Sequence, residues 1–529
     1  MMMCGLISAE GQAPVGSSQN SSDPLQEHYR AAATALANDD QQHAALEYKA
    51  FLAEALHRAA NAEAQIGEAA RASEHFAQAL EFEPQDSALL DDYASLCFDR
   101  NELAKSESLL NNALTVNQND TRAHFLLGRI LFNQEKYLAA KPHLQAAFTT
   151  DREAWYLLGI TYLKLQDLNS AQELFKRMVA TLGEKASTHF RLGMAYYTGD
   201  YPDEAITEFK RAITQDSRAP DQHYYLGLAY LGHNPEAGFA KADPEFRAEL
   251  ALSPNDFRGH YMLGYIALKQ NRLQEADREL TKARTLQPDD QNMLLLMAEL
   301  YGDLGRVVDA EPLLRKVIVL AGISSANYEI IRAHYMLGRI LQRTGKEDEA
   351  KKELALSEEL RRQFREASGS TPKERADPGL RNSQSRTPSK TVSPEERAKA
   401  EAFLRGLSSP IAEAFNNLGA MAATQHQCPD CVNYFKHAGE WEPSLDGLDR
   451  NLGRAAFLCN LYGDAVPPLS RYLENHASDA TARSALGLSL FHIGEYQKVI
   501  EILDPIKSAV ESNPELSNAY ATARAKIKQ

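Results

Sequence analysis

The decapeptide AHFLLGRILF at 123–132 returns as AHYMLGRILQ at 333–342, with THFRLGMAYY (188–197), QHYYLGLAYL (222–231) and GHYMLGYIAL (259–268) between them. A chain that rewrites one apolar segment at intervals is an array of supersecondary units, because each unit has an apolar face that only its neighbours can cover. The Leu-Gly pair sets the interval. Its glycines fall at Gly128, Gly159, Gly193, Gly227, Gly264, Gly338, Gly419, Gly453 and Gly487, and steps of 34 residues dominate. The wider gap between Gly264 and Gly338 holds one degenerate copy, with Met297 and Ala298 in place of Leu-Gly.

Each unit reads as two amphipathic helices with a polar turn between them, as at Asp167–Asn169 and Thr198–Pro202. After each Leu-Gly come a small residue, an apolar residue four later and often Ala three beyond that. Ala205, Phe209 and Ala212 show this, as do Ala276, Leu280 and Ala283. A proline often closes the unit, at Pro84, Pro288 and Pro443. A glycine inside a helix costs ~1 kcal/mol relative to alanine. Its recurrence predicts a neighbouring helix too close for a methyl group, with Ala171, Ala205, Ala276, Ala310 and Ala350 expected on the other side of that contact.

Trp155, Leu158, Gly159, Tyr162, Ala171 and Phe175 match, position by position, the pattern W-x2-L-G-x2-Y followed by A-x3-F. The chain therefore resembles the tetratricopeptide repeat family. The resemblance covers about 430 residues. It implies an all-α protein, a right-handed α-solenoid of helix-turn-helix units, with a role in binding other proteins. About twelve units are expected: two degenerate ones near 53–86 and 87–120, seven from 121 to about 360, and three from 412 to about 513. Leu25–Leu52 reads as a further unit or a cap. The insertion GHNPEAGFAKADP predicts a longer loop at 232–244.

Residues 366–394, EASGSTPKERADPGLRNSQSRTPSKTVSP, lose nearly all apolar residues and gain Ser, Thr, Pro and Arg. Such a segment is expected to be a disordered linker. The division that follows is a first array at 24–365, the linker, and a second array at 395–529. Residues 1–23 are expected to be a disordered N-terminus or the remnant of a signal peptide. The second reading, resting on residues 1–13, would make the protein exported or periplasmic rather than cytoplasmic.

The formal charge of −15 speaks against general nucleic-acid binding, which needs a basic surface. No run of eighteen apolar residues is present, so no membrane span is expected. No phosphate loop, G-x-S-x-G elbow or H-E-x-x-H occurs. Catalytic residues, cofactors and metal ligands are therefore not expected, and the chain is not expected to be an enzyme. Oligomeric state is open.

In the family that the chain resembles, the first helix of each unit lines a concave groove. With Gly128 and its equivalents at repeat position 8, the resemblance puts positions 5, 9 and 12 on that face. Position 5 holds Phe125, Tyr156, Phe190, Tyr224, Tyr261 and Tyr335; position 9 holds Arg129, Ile160, Met194, Leu228, Tyr265 and Arg339; position 12 adds Phe132, Leu163, Tyr197, Leu231 and Leu268. An apolar, aromatic groove flanked by two arginines is expected to take an apolar peptide segment or helix.

Five histidines, His124, His189, His223, His260 and His334, share repeat position 4. Repeats stacked roughly 10 Å apart are too distant to share an ion with Zn–N bonds near 2.0–2.1 Å, so packing against the next unit is expected. The CPDC stretch makes Cys428 and Cys431 a possible local disulfide, with a redox pair as the alternative; Cys97 and Cys459 read as small core residues. Asn417, Arg450, Asn451 and Arg454 come nearest to a peptide-terminus clamp, but the set is incomplete. The expected function is a non-catalytic scaffold or adaptor with a protein or peptide ligand. The alternatives are an accessory subunit of an enzyme or of an envelope or secretion assembly complex, and a redox-active protein using Cys428 and Cys431.

Overall fold

The computed structural model describes residues 23–148, 152–233, 235–321, 328–368 and 392–527. Apart from one 3-10 turn at Asp504–Ile506, every regular element among them is an α-helix. Several helices begin with a polar cap. The carboxylates of Asp40, Asp86, Asp167, Asp256, Asp290 and Asp479 accept hydrogen bonds from backbone N–H groups that the first helical turn leaves unpaired.

Among the described residues, the turn inside the unit recurs in one form. A residue in the left-handed region stands seven past the Leu-Gly glycine: Glu135, Gln166, Asp200, Asn271, Gly305, Gly345, His426, Asn460 and Gly494. The next N–H then reaches back to a carbonyl near the helix end, as from Lys136 to Leu131 at 2.9 Å and from Arg272 to Ala267 at 2.7 Å. This satisfies a carbonyl that would otherwise have no partner, and it reverses the chain for the second helix.

The recurring glycine has the close neighbour its cost demands, but the neighbour is not the small residue. A methyl group on Gly193 would lie 2.6 Å from the ring of Phe209, and one on Gly227 or Gly419 would lie 2.8 Å from Phe246 or Phe435. Gly159 meets Phe175, Gly264 meets Leu280 and Gly453 meets Leu469 in the same way. The bulky member of A-x3-F, on the same unit's second helix, fills the notch. Ala171, Ala205, Ala276, Ala310 and Ala350 are fully buried, but of these only Ala350 is among the nearest neighbours of such a methyl group, its carbonyl oxygen 3.2 Å from one on Gly338, behind Leu354 at 2.6 Å. The reason is reach: a ring can extend into the notch, whereas a methyl group cannot.

The insertion after Gly227 does not make a long loop. It lengthens the second helix, Pro235–Leu252, to 18 residues, because its Ala, Glu, Phe and Lys residues are compatible with helix. Leu25–Leu52 proves to be a complete unit. Ala32 occupies the glycine register, and buried Tyr48 stands where the filling side chain belongs.

The chain divides into two compact units, one of residues 1–120 with 392–529 and one of 121–391. This differs from the expected division, which placed 24–120 in one array with 121–365. In the first unit the helix Pro394–Thr424 lies against Gln41–Gln65, with Asn417 donating to the Tyr48 hydroxyl at 2.9 Å. Arg397 donates to the Ile66 carbonyl at 2.8 Å, and Trp441 stacks on His75 with ring centroids 4.6 Å apart. Phe82 lies between Phe415 and Tyr434 at 6.0 and 6.3 Å. Repeat phase tells which face of a helix needs covering, not which distant segment covers it.

The second unit stacks helical hairpins from Thr121–Asn133 to Glu347–Ser368. That last helix runs past the expected start of the linker. The remaining linker residues, 369–391, and the possible signal-peptide remnant lie outside the described residues. Among the described residues no helix is long and apolar enough to cross a membrane.

Candidate protein-binding face

The residues expected to line the groove divide by burial. Tyr224, Leu228, Leu231, Tyr261, Leu268, Ile160 and Leu163 are buried. They pack between neighbouring helices and offer no surface to a ligand. Phe125, Arg129, Phe132, Tyr156, Phe190, Met194, Tyr197 and Tyr265 are half-buried, and Tyr335 and Arg339 are exposed. So the centre of the expected apolar stripe, from Tyr224 to Leu268, is interior except at half-buried Tyr265, and the rest of the accessible surface lies to either side of it.

Tyr224 shows how the centre closes. It is 1% exposed, and the Arg258 guanidinium stands 4.6 Å over its ring. Arg258 pairs with Asp256 at 2.8 Å and with Asp221. Buried Glu249 accepts N–H bonds from Asp221 at 3.0 Å and Tyr224 at 3.3 Å, and so caps the start of Gln222–His233. The Asp221, Glu249 and Asp256 carboxylates thus face three backbone donors, the third being the Arg258 N–H on Asp256 at 2.9 Å, and one arginine side chain. Burial opposes charge on Arg258, yet the hydrogen bonds it donates to Asp256 and Asp221 outweigh it and hold the guanidinium more basic than usual.

The flank between Tyr156 and Tyr197 is an aromatic cluster. Phe190 lies 5.7 Å from both Phe209 and Tyr225, and Tyr197 lies 6.4 Å from Tyr225. Arg191 stands over the Tyr156 ring at 5.6 Å. Burial pushes the Tyr156 hydroxyl up to about 12, so it stays protonated across the physiological range. The other flank carries Tyr335, 46% exposed, on the helix Tyr328–Arg343. Arg339 follows it at i+4, on the same side of that helix.

The position-4 histidines find polar partners inside their own units. Each turns Nδ1 to a group on its own unit's second helix: His189 to Glu208 at 2.6 Å, His260 to Glu279 at 2.8 Å, His334 to Glu353 at 2.5 Å. His223 meets Glu245 at 2.6 Å, three residues later in register because of the insertion. His28 meets Glu47 at 2.7 Å, which brings the unit at Leu25–Leu52 into the set. In the unit of His124 the partner is His143, at 2.9 Å. The spacing H-x18-E, present in the sequence at His28 and Glu47, His189 and Glu208, His260 and Glu279, and His334 and Glu353, marks these pairs.

The cysteines also depart from expectation. The disulfide joins Cys428 to Cys459, not to Cys431, across a Cα–Cα distance of 5.7 Å. Cys431 is a buried free thiol on the first turn of Asp430–Trp441, and Cys459 ends Leu448–Leu458. The side chain of Cys428, just before its helix, points across to the neighbouring hairpin instead of along its own. Cys97 is buried as expected, and burial pushes its thiol up to about 11. The incomplete clamp is spent internally, since Asn417 bonds Tyr48 and Asn451 donates to Asn416 at 3.2 Å.

Two family profiles described as tetratricopeptide repeat match the chain. One covers residues 125–187, 237–291 and 261–328, the other 186–218 and 331–364. Among curated proteins, the cell division cycle protein 27 homolog of Caenorhabditis elegans is 27% identical over 183 residues, 33% of this chain and 22% of that protein. The human protein O-mannosyl-transferase TMTC3 is 24% identical over 224 residues, 41% of this chain and 20% of that protein. The chain thus spans about a fifth of the length of these relatives. Among solved structures, yeast Tom70 covers 80% of this chain over 99% of its own at 13% identity, with a TM-score of 0.31. YrrB, described as a TPR protein with an unusual peptide-binding site, covers 42% of this chain over 97% of its own at 19% identity, with a TM-score of 0.25.

Proposed function

The chain is a tetratricopeptide repeat protein, and from that premise we propose that it is a non-catalytic scaffold that binds a protein or peptide through first-helix residues of its second compact unit. The binding residues are the accessible ones. Tyr156, Phe190 and Tyr197 form an aromatic flank, and Tyr335 with Arg339 forms a mixed one. The carrying observation is Tyr335: a large aromatic 46% exposed on a helix whose other face is fully packed, with a guanidinium one turn away. A ligand with an apolar side chain next to a carboxylate suits that pair.

The test is affinity capture from the source cell with the full chain as bait, beside a Tyr335→Ala, Arg339→Glu double variant. Both residues are exposed, so the fold should survive, as circular dichroism would verify. Proteins held by the wild type and lost from the variant support the reading. Identical capture by both refutes it. Partners that bring an activity with them would mark the chain as an accessory subunit instead of a plain scaffold.

A further inference from the structure

Three sulfurs meet where the turn before Asp430–Trp441 abuts the end of Leu448–Leu458. Cys428, Cys431 and Cys459 Sγ all lie within 4.8 Å of one another. Cys428 and Cys459 are bonded, and the free Cys431 Sγ stands 3.5 Å from Cys459 Sγ. The three differ in access: Cys428 is exposed, Cys459 half-buried, and Cys431 1% exposed. A free thiol in van der Waals contact with a disulfide sulfur is near enough for thiol–disulfide exchange once a side-chain rotation brings it into line with that bond.

We propose that these residues form an exchange centre in which Cys431 attacks Cys459, so that the free thiol passes from the buried Cys431 to the exposed Cys428. The Cys431 thiolate, its proton given to water, forms the Cys431–Cys459 bond as the Cys428–Cys459 bond breaks. Cys428 leaves as a thiolate and takes up a proton. One disulfide and one thiol exist before and after, so no oxidant or reductant is consumed. The product presents a nucleophilic sulfur at the surface, able to take a thiol-reactive modification or to form a mixed disulfide with a partner that itself brings a disulfide.

The local structure fits this role. Cys431 occupies the first turn of its helix, where backbone N–H groups favour a thiolate. Burial works against them and, together with Asp430, holds the thiol above its ordinary 9.0. The attacking group is therefore mostly protonated at rest, which keeps the resting connectivity in place. Cys431 also stands at the register where other units carry Ala171, Ala205 or Ala276. A thiol there adds nothing to the stacking that a methyl group would not supply.

The experiment uses the full chain, isolated without reductant and exposed to N-ethylmaleimide under native conditions. Aliquots are digested without reduction and mapped by mass spectrometry. The expected result is label accumulating on Cys428 together with a Cys431–Cys459 crosslink, at a rate unchanged by tenfold dilution. Cys431→Ala, which restores the residue of the other units and so should fold, should leave Cys428 unlabelled and bonded to Cys459. The proposal is overturned if Cys428 stays unlabelled in the wild type while the Cys428–Cys459 link persists. It is equally overturned if Cys428 is labelled in Cys431→Ala, or if the three sulfurs arrive reduced around one equivalent of zinc.

Discussion

His189 and Glu208, nineteen residues apart on the two helices of one unit, meet at 2.6 Å with both side chains buried. The same contact recurs at His260 with Glu279 and at His334 with Glu353, each with the same separation. A buried polar group needs a partner, and in these hairpins the pair both satisfies the need and fixes the register of one helix against the other.

The unit of His124 lacks the carboxylate, and the consequence is measurable. Burial, and then the neighbouring His124, hold His143 below its ordinary 6.5. A folded value below the unfolded one means that the contribution to stability is complete above 6.5 and is lost as pH falls through the folded value. His143→Glu should place the carboxylate that the other units carry at this register and raise stability by about 1 kcal/mol at neutral pH. It should also flatten the fall in unfolding midpoint below pH 6.5, followed by urea denaturation at a series of pH values.

Glu279 gives the acid counterpart. Burial alone would raise its carboxyl, but hydrogen bonds from His260 and Arg278 outweigh burial and hold it below 4.5. Its contribution is therefore present above 4.5 and lost as pH falls through the lower folded value. Glu279→Gln should be less stable than wild type at pH 7, and the two unfolding curves should converge under acid. A gap that stays constant down to pH 3 would show that the carboxylate charge plays no part.

The helical glycines should separate by what faces them. Gly193→Ala would put a methyl group 2.6 Å from the ring of fully buried Phe209, and overpacking of that kind costs about 1–3 kcal/mol. Gly406→Ala, in the exposed middle of Pro394–Thr424 with nothing within 4 Å, should instead stabilise by about 0.5–1 kcal/mol. Thermal unfolding of the two variants should shift in opposite directions.

Tyr224 and Tyr335 hold the same repeat position but should behave differently. Tyr224→Ala empties a core site beneath Arg258 and should cost about 3–5 kcal/mol, by the range for large aromatic truncations. Tyr335→Ala, at an exposed site, should stay within about 0.5 kcal/mol of wild type. Equal losses in chemical denaturation would mean that the two positions are packed alike.

What the sequence by itself determined was the periodic part. The Leu-Gly register, the A-x3-F partner and the polar turns specify helical hairpins of one kind, because hydrophobic period and helix geometry are local properties of the chain. They were enough for the fold class. Three things were decided only in the tertiary structure. The pairing of Pro394–Thr424 with Gln41–Gln65 depends on which of several similar apolar faces meet, and all hairpins of one kind expose similar faces. The closing of the stripe at Tyr224 and Tyr261 depends on how near successive first helices come, which side-chain volume across the interface sets. The bond from Cys428 to Cys459 depends on two hairpins lying side by side, a proximity in space that the tighter spacing of Cys428 and Cys431 along the chain concealed.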